Sequence, residues 1–189
     1  MKERAIDPRT LNVAQLCHDA GSLAGQWPLA GMKRLRDSLY EQTAGDSAVN
    51  SAIDWSASGA LLAASSSEPE VWLQLRANVS VSLQCQRCLH ALMQPLAVDR
   101  RLRFVRSEAE AERLDEASDD DVLVLPPRLD LHELIEDELI LALPLVPRHP
   151  GPCPKPLPMP VDDLPGEEPA PNPFAALAAL RTSRRGDKG

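Results

Sequence analysis

The chain has 189 residues, 43% of them hydrophobic but only 3% aromatic, and a formal net charge of −8. That length fits one ordinary domain with tails, or two small ones. Its core must be built from Leu, Val, Ile and Ala rather than from rings. No apolar run, LILAL at 139–143 included, approaches the ~20 residues of a membrane span.

The N-terminal MKERAIDPRTL lacks the basic-then-apolar order of a secretory signal, so a cytoplasmic protein is expected. Four cysteines, Cys17, Cys85, Cys88 and Cys153, then favour free thiols or a metal over structural disulfides. The charge is uneven: residues 1–106 hold twelve Lys/Arg against ten Asp/Glu, and residues 107–189 hold eight against eighteen. An acidic chain repels phosphate outside local basic patches and suits a basic partner better than a coat of nucleic acid.

In chain order, TLNVAQLCHDA at 10–20 predicts a helix capped by Thr10, with Cys17 as a small core residue and Gly21 as its end. MKRLRDSLYE at 32–41 predicts a second helix, Leu35 and Leu39 inward and Lys33, Arg34 and Arg36 outward. From Val49 the period changes to two through Ile53 and Trp55, and SASG reads as a turn. The clearest element follows. Leu73, Leu75, Ala77, Val79, Val81, Leu83 and Cys85 alternate with Gln74, Arg76, Asn78, Ser80, Ser82 and Gln84, which predicts a long strand with one buried face. A return strand is expected at 96–106.

Within it, DRRLRFVR brings four arginines into eight positions. Arg100, Arg101, Arg103 and Arg106 are the leading candidates for contact with RNA phosphates. In a strand, Arg101 and Arg103 share one face while Leu102 and Phe104 point to the core. The bland alternative is a solvent face paired with the acidic segment 107–121, which reads as a short exposed helix fading into a loop.

VLVLPP is a brief strand ended by Pro126, and DLHELIEDELILALP a helix with clear punctuation: Asp130 as N-cap, Glu133 three residues on, Pro144 as the stop. Leu131, Leu134, Ile135, Leu139 and Ala142 form its buried stripe. Glu136, Asp137 and Glu138 lie partly on the outer face, where they are candidates for gripping a basic partner. Twelve prolines in residues 144–173 exclude a packed core there and predict a disordered acidic tail. NPFAALAALRTSRR then predicts a short terminal helix capped by Asn172.

The Cys85–Gln–Arg–Cys88 spacing lets two thiolates face one tetrahedral ion, and His149 and Cys153 in RHPGPC could complete a zinc site, with His90 competing as fourth ligand. Two ordinary reduced thiols at a turn are the alternative. A redox pair is less favoured, because such pairs sit at helix N-termini and this one ends a strand. No Gly-rich phosphate loop, H-E-x-x-H or G-x-S-x-G occurs, so neither catalysis nor a small-molecule substrate is expected. Six aromatic residues leave little for base stacking.

CQRCL at a strand end, then LDLHELIEDELILALPLVPRH, a lone cysteine and the ending PNPFAALAAL together resemble the YceD family, the large ribosomal RNA subunit (23S rRNA) accumulation proteins. The resemblance covers residues 70–182. It implies a non-enzymatic role in the synthesis, processing or stability of 23S rRNA during large-subunit assembly. The matching positions are Cys85, Cys88, Glu136, Asp137, Glu138, Pro144, His149 and Cys153. The expected partner is 23S rRNA, its precursor or a basic ribosomal protein. The expected fold is α+β, an antiparallel sheet with helices packed on one side. It has a single domain over 1–146, a proline-rich tail over 147–171 and a short helix over 172–182. Two rivals are a zinc-dependent nucleic-acid or protein binding module and a C-x-x-C thiol-redox protein.

Overall fold

A computed structural model of the chain describes residues 6–40, 51–63, 69–117 and 121–155. The expected terminal helix at 172–182 lies outside the described residues, as does the expected tail from residue 156 onward. The centre of the fold is the strand that the alternation foretells. In β3, Glu70–Gln84, the residues Leu73, Leu75, Ala77, Val79, Val81 and Leu83 are all buried. A fully buried aliphatic side chain of this size contributes about 2 kcal/mol, so a one-residue slip in register would forfeit the whole row.

β4, Ala91–Val105, returns antiparallel in an unbroken ladder from Gln84↔Ala91 to Val71↔Phe104. It begins at Ala91 rather than at residue 96. Pro95 makes the first half look like loop, yet among the described residues β4 has no strand on its far side until Leu102, so the missing N–H interrupts no second ladder there.

Two further strands extend the sheet beyond β3. β2, Ala52–Leu62, runs straight through the SASG that reads as a turn. Gly59 is there for a neighbour, not for a bend. A Cβ built on it would stand 2.8 Å from the backbone nitrogen of Cys17 and 2.9 Å from its Cα. The edge strand β1, Ser22–Pro28, was not foreseen, because most of its residues are exposed and its sequence does not alternate. It is set by Gly25, which lies under the Trp55 ring, and by Trp27, which stacks on Trp55 at 4.3 Å.

The strand order is β1-β2-β3-β4-β5. β5, Asp121–Val124, pairs with β4 in parallel, so the sheet is mostly but not wholly antiparallel. The parallel step needs a crossover. It is made by the helix α3, Glu108–Asp115, whose N-terminus is capped by the Ser107 hydroxyl.

The other helices cover one face of the sheet. α1, Val13–His18, is capped by Asn12 and not by Thr10, which belongs to a preceding 3-10 turn capped by Asp7. It places Val13, Leu16 and Cys17 in the core. α2, Lys33–Asp37, adds Leu35, and α4, Leu131–Leu141, adds Leu131, Ile135 and Leu139. Asp130 caps α4 by accepting from the N–H groups of His132 and Glu133. Among the described residues, no helix is long and apolar enough to cross a membrane.

Candidate metal centre

The alternation that buries one face of β3 carries Cys85 to the strand end on the core side, where Cys85 and Cys88 are both fully buried. Between the strands, residues 85–90 form a tight knuckle. The Cys85 N–H donates to the His90 carbonyl at 2.9 Å, and the Leu89 N–H donates to the Cys85 carbonyl at 2.8 Å. Closing it forces Leu89 to φ 59, a left-handed conformation that is costly for a side-chain-bearing residue. Its carbonyl is held from two directions, by the Tyr40 hydroxyl at 3.1 Å and the Gln84 amide at 3.2 Å.

The second half of the site arrives from the end of α4. After Leu141 the chain turns at Pro144 and runs back along the knuckle. The Gln86 N–H donates to the Pro147 carbonyl at 2.9 Å, and the Arg87 guanidinium donates to the Gly151 carbonyl at 3.1 Å. Prolines 147, 150 and 152 suit this path, because they have no N–H to satisfy and little backbone freedom to lose.

The path brings His149 and Cys153 onto the two buried cysteines. The Cys88 Sγ lies 3.6 Å from His149 Nδ1 and the Cys85 Sγ lies 3.9 Å from the Cys153 Sγ. All four ligand atoms fall within 4.8 Å of one another. A tetrahedral zinc with bonds of about 2.3 Å to sulfur and 2.0–2.1 Å to nitrogen has S–S edges of about 3.8 Å and S–N edges of about 3.5 Å. The donor set and both spacings fit such an ion. A sulfur separation of 3.9 Å is nearly twice a disulfide bond. His90 takes a different post, with its Nδ1 2.7 Å from the Cys88 carbonyl.

The local field is also that of a metal site. Burial pushes the Cys85 thiol up, but the backbone N–H groups of His149, Arg87 and Cys88 outweigh it and bring the thiol down to about 5. Burial pushes the Cys153 thiol up, and the sulfurs of Cys88 and Cys85 add to that rise.

Of the four arginines clustered in sequence, Arg101 and Arg103 share one face as expected, both over the Trp72 ring. Arg100 pairs with Glu138 at 2.9 Å and Asp121 at 3.4 Å. Arg103 is half-buried and pairs with Glu70. The backbone N–H of Arg106 donates to the Glu110 carboxylate at 3.4 Å. The Arg101 guanidinium carbon stands over the Trp72 ring, 4.1 Å from its centroid, and no carboxylate partner of Arg101 is found among the described residues. Trp72 escaped the sequence reading. It sits on the polar side of β3, buried beneath Arg101, with its indole N–H donating to Glu70 at 2.9 Å.

The acidic trio of α4 does not form one outward surface. Glu136 is buried and accepts from the N–H groups of Arg34 and Leu35 at 2.7 and 3.2 Å, capping α2 from outside. Asp137 pairs with the same Arg34, and Glu138 with Arg100. Arg34, read from sequence as part of a solvated face, thus ties α2 to α4.

Residues 73–181 match the family model described as large ribosomal RNA subunit accumulation protein YceD. The chain is 37% identical over 109 residues to the large ribosomal RNA subunit accumulation protein YceD of Haemophilus influenzae. That alignment takes in 56% of the chain and spans 63% of the relative's length. No solved structure matches the chain. The family model covers more than half of the chain, including Cys85, Cys88, His149 and Cys153, and the chain belongs to the YceD family.

Proposed function

We propose that this protein is a non-enzymatic, cytoplasmic factor that supports accumulation of 23S rRNA during assembly of the large ribosomal subunit. The observation that carries the reading is the family match over residues 73–181, supported by the similarity to the large ribosomal RNA subunit accumulation protein of Haemophilus influenzae. The absence of catalysis is part of the proposal. Its chemistry-bearing side chains are a buried ligand set and paired ions, both of which build structure. Depleting the protein and measuring the 23S:16S ratio, with large-subunit peaks on sucrose gradients, tests the reading. A selective fall in 23S, restored by the wild-type chain, is the expected result. An unchanged ratio would sink it.

The second part of the proposal is a structural zinc held by Cys85, Cys88, His149 and Cys153, favoured by the 3.6 and 3.9 Å spacings. When bound, the ion would supply a four-point crosslink between the β3–β4 knuckle and the segment after α4. A thiol oxidoreductase of the C-x-x-C kind is disfavoured, because the pair lies in a hairpin knuckle with both sulfurs buried and no helix N-terminus behind it.

For the partner, Arg101 is the arginine of this cluster that best suits direct contact with rRNA, since Arg100 and Arg103 are paired with carboxylates of the fold. Ultraviolet crosslinking followed by sequencing of the attached RNA distinguishes this from a basic protein partner. A peak in 23S precursor that Arg101→Glu removes supports RNA contact. No enrichment over background moves the contact to protein.

A further inference from the structure

The four ligands are not equally sheltered. Cys85 and Cys88 are fully buried, whereas Cys153 is only partly so. Cys153 is also the one ligand thiol on the returning segment, whose named backbone ties to the knuckle, at Pro147 and Gly151, both lie before it. As a residue Cys153 is thus the least buried of the three ligand cysteines, and a second sulfur, that of Cys85, stands 3.9 Å from its own. Closing that gap to the ~2.05 Å of a disulfide needs a shift of about 2 Å, which the returning segment can make without opening the β3–β4 ladder.

We propose that Cys153 is a peroxide-modification site and that its oxidation ends in a Cys85–Cys153 disulfide that dismantles the metal centre. The inference rests on the zinc reading above, and its thiol chemistry can be tested with or without the metal. In the first step the Cys153 sulfur attacks one peroxide oxygen. An S–O bond forms, the O–O bond breaks, and the departing hydroxide takes up a proton to become water. In the second step the Cys85 sulfur attacks the Cys153 sulfur. The S–S bond forms, the S–O bond breaks, and a second hydroxide leaves and is protonated. Two thiols lose two electrons and one peroxide is reduced to two waters. Two of four ligands are then withdrawn, and a site of two remaining ligands is too poor to retain zinc.

The outcome is a cross-segment disulfide between residues 68 apart in sequence, not the vicinal Cys85–Cys88 bridge of a redox enzyme. Cys17 serves as an internal control. It is buried on the inner face of α1 with its Sγ 3.1 Å from the Trp72 carbonyl oxygen, and it should stay reduced.

The experiment treats the full-length protein, as purified, with hydrogen peroxide. It follows zinc with a chromogenic chelator, and it maps disulfides by mass spectrometry of blocked, digested samples. The expected result is a mass loss of two hydrogens, a linked Cys85–Cys153 peptide pair, and one zinc released per disulfide. A Cys85–Cys88 link, or Cys153 recovered as free thiol after zinc has left, overturns the proposal. So does zinc retention at a peroxide dose that oxidises a simple cysteine peptide. If the purified protein carries no zinc but the Cys85–Cys153 link still forms, the metal reading fails and the oxidation site stands. Because Cys153→Ser could lose the fold, the wild-type map is the primary readout. The variant, if folded, should slow thiol oxidation at least tenfold.

Discussion

The two ends of the β3–β4 hairpin make opposite use of polar side chains. At the knuckle, four potential ligand groups from two distant segments converge at spacings that would suit one tetrahedral cation. At the base, Arg103 meets Glu70, Arg100 meets Glu138 and Asp121, and Arg101 covers Trp72. A convergence that leaves buried donors for something external points to a site. A convergence that closes on itself points to structure. The side chains of CQRC and RHPGPC thus converge on one another, whereas Arg100 and Arg103 of DRRLRFVR are paired with carboxylates of the fold.

The comparison breaks most visibly if the knuckle is self-sufficient. Cys88→Ser should lower zinc from near one per chain to near zero. A ligand at a thousand times its Kd stabilises by about 4 kcal/mol, and in a chain of this size that is about 10 °C in Tm. Chelation of the wild type should reproduce the loss, measured by calorimetry with and without chelator. An unchanged Tm in both would mean that the four groups are ordinary packing.

β3 and α4 were legible in the sequence, because each carries its own signal: seven alternating apolar positions in one, and Asp130 and Pro144 as punctuation in the other. The convergence of Cys85, Cys88, His149 and Cys153 was legible in part: C-x-x-C spacing and a proline-rich stretch with one His and one Cys suggest it, while His90 competed as fourth partner until its ring was found on the Cys88 carbonyl. What was not legible depends on distant neighbours. Gly59 looked like a turn because nothing local shows that the backbone of Cys17 lies above it. Glu136 looked like a wet acid because its partner, Arg34, is 102 residues away. β1 has no alternation to read, being an edge strand placed by tryptophan stacking.

Those tertiary pairings rank next in expected effect. Gly59→Ala puts a methyl group under 3 Å from three atoms of Cys17, two of them backbone. With α1 unable to yield as a flexible side chain would, the cost should be about 3 kcal/mol, at the upper end for overpacking. Urea unfolding would measure it, and a change under about 0.5 kcal/mol would show that α1 slides freely on the sheet.

Glu136→Ala removes the acceptor for two backbone N–H groups at the start of α2 and the anchor of Arg34. A lost cap costs about 1–2 kcal/mol, and the larger figure applies because Glu136 is buried. Arg34→Ala should cost well under 1 kcal/mol, since its side chain is half exposed and solvent screens the pair. Equal losses in the two variants would mean that the ion pair, and not the cap, holds α2 to α4.

The smallest effect is expected at Arg101, and it is the one that decides whether the base of the hairpin is wholly closed. A cation over an indole at an exposed position contributes about 0.5–1 kcal/mol, so Arg101→Ala should move the urea midpoint only slightly. Arg103→Ala should move it more, because it strands Glu70, which also receives the Trp72 indole N–H. If Arg101 is structural only, Arg101→Ala and Arg101→Lys should leave 23S rRNA levels in complemented cells at the wild-type value. A fall in 23S rRNA with stability intact would separate Arg101 from its neighbours. One side of its guanidinium is spent on Trp72, and the other would then be a charge left for a partner.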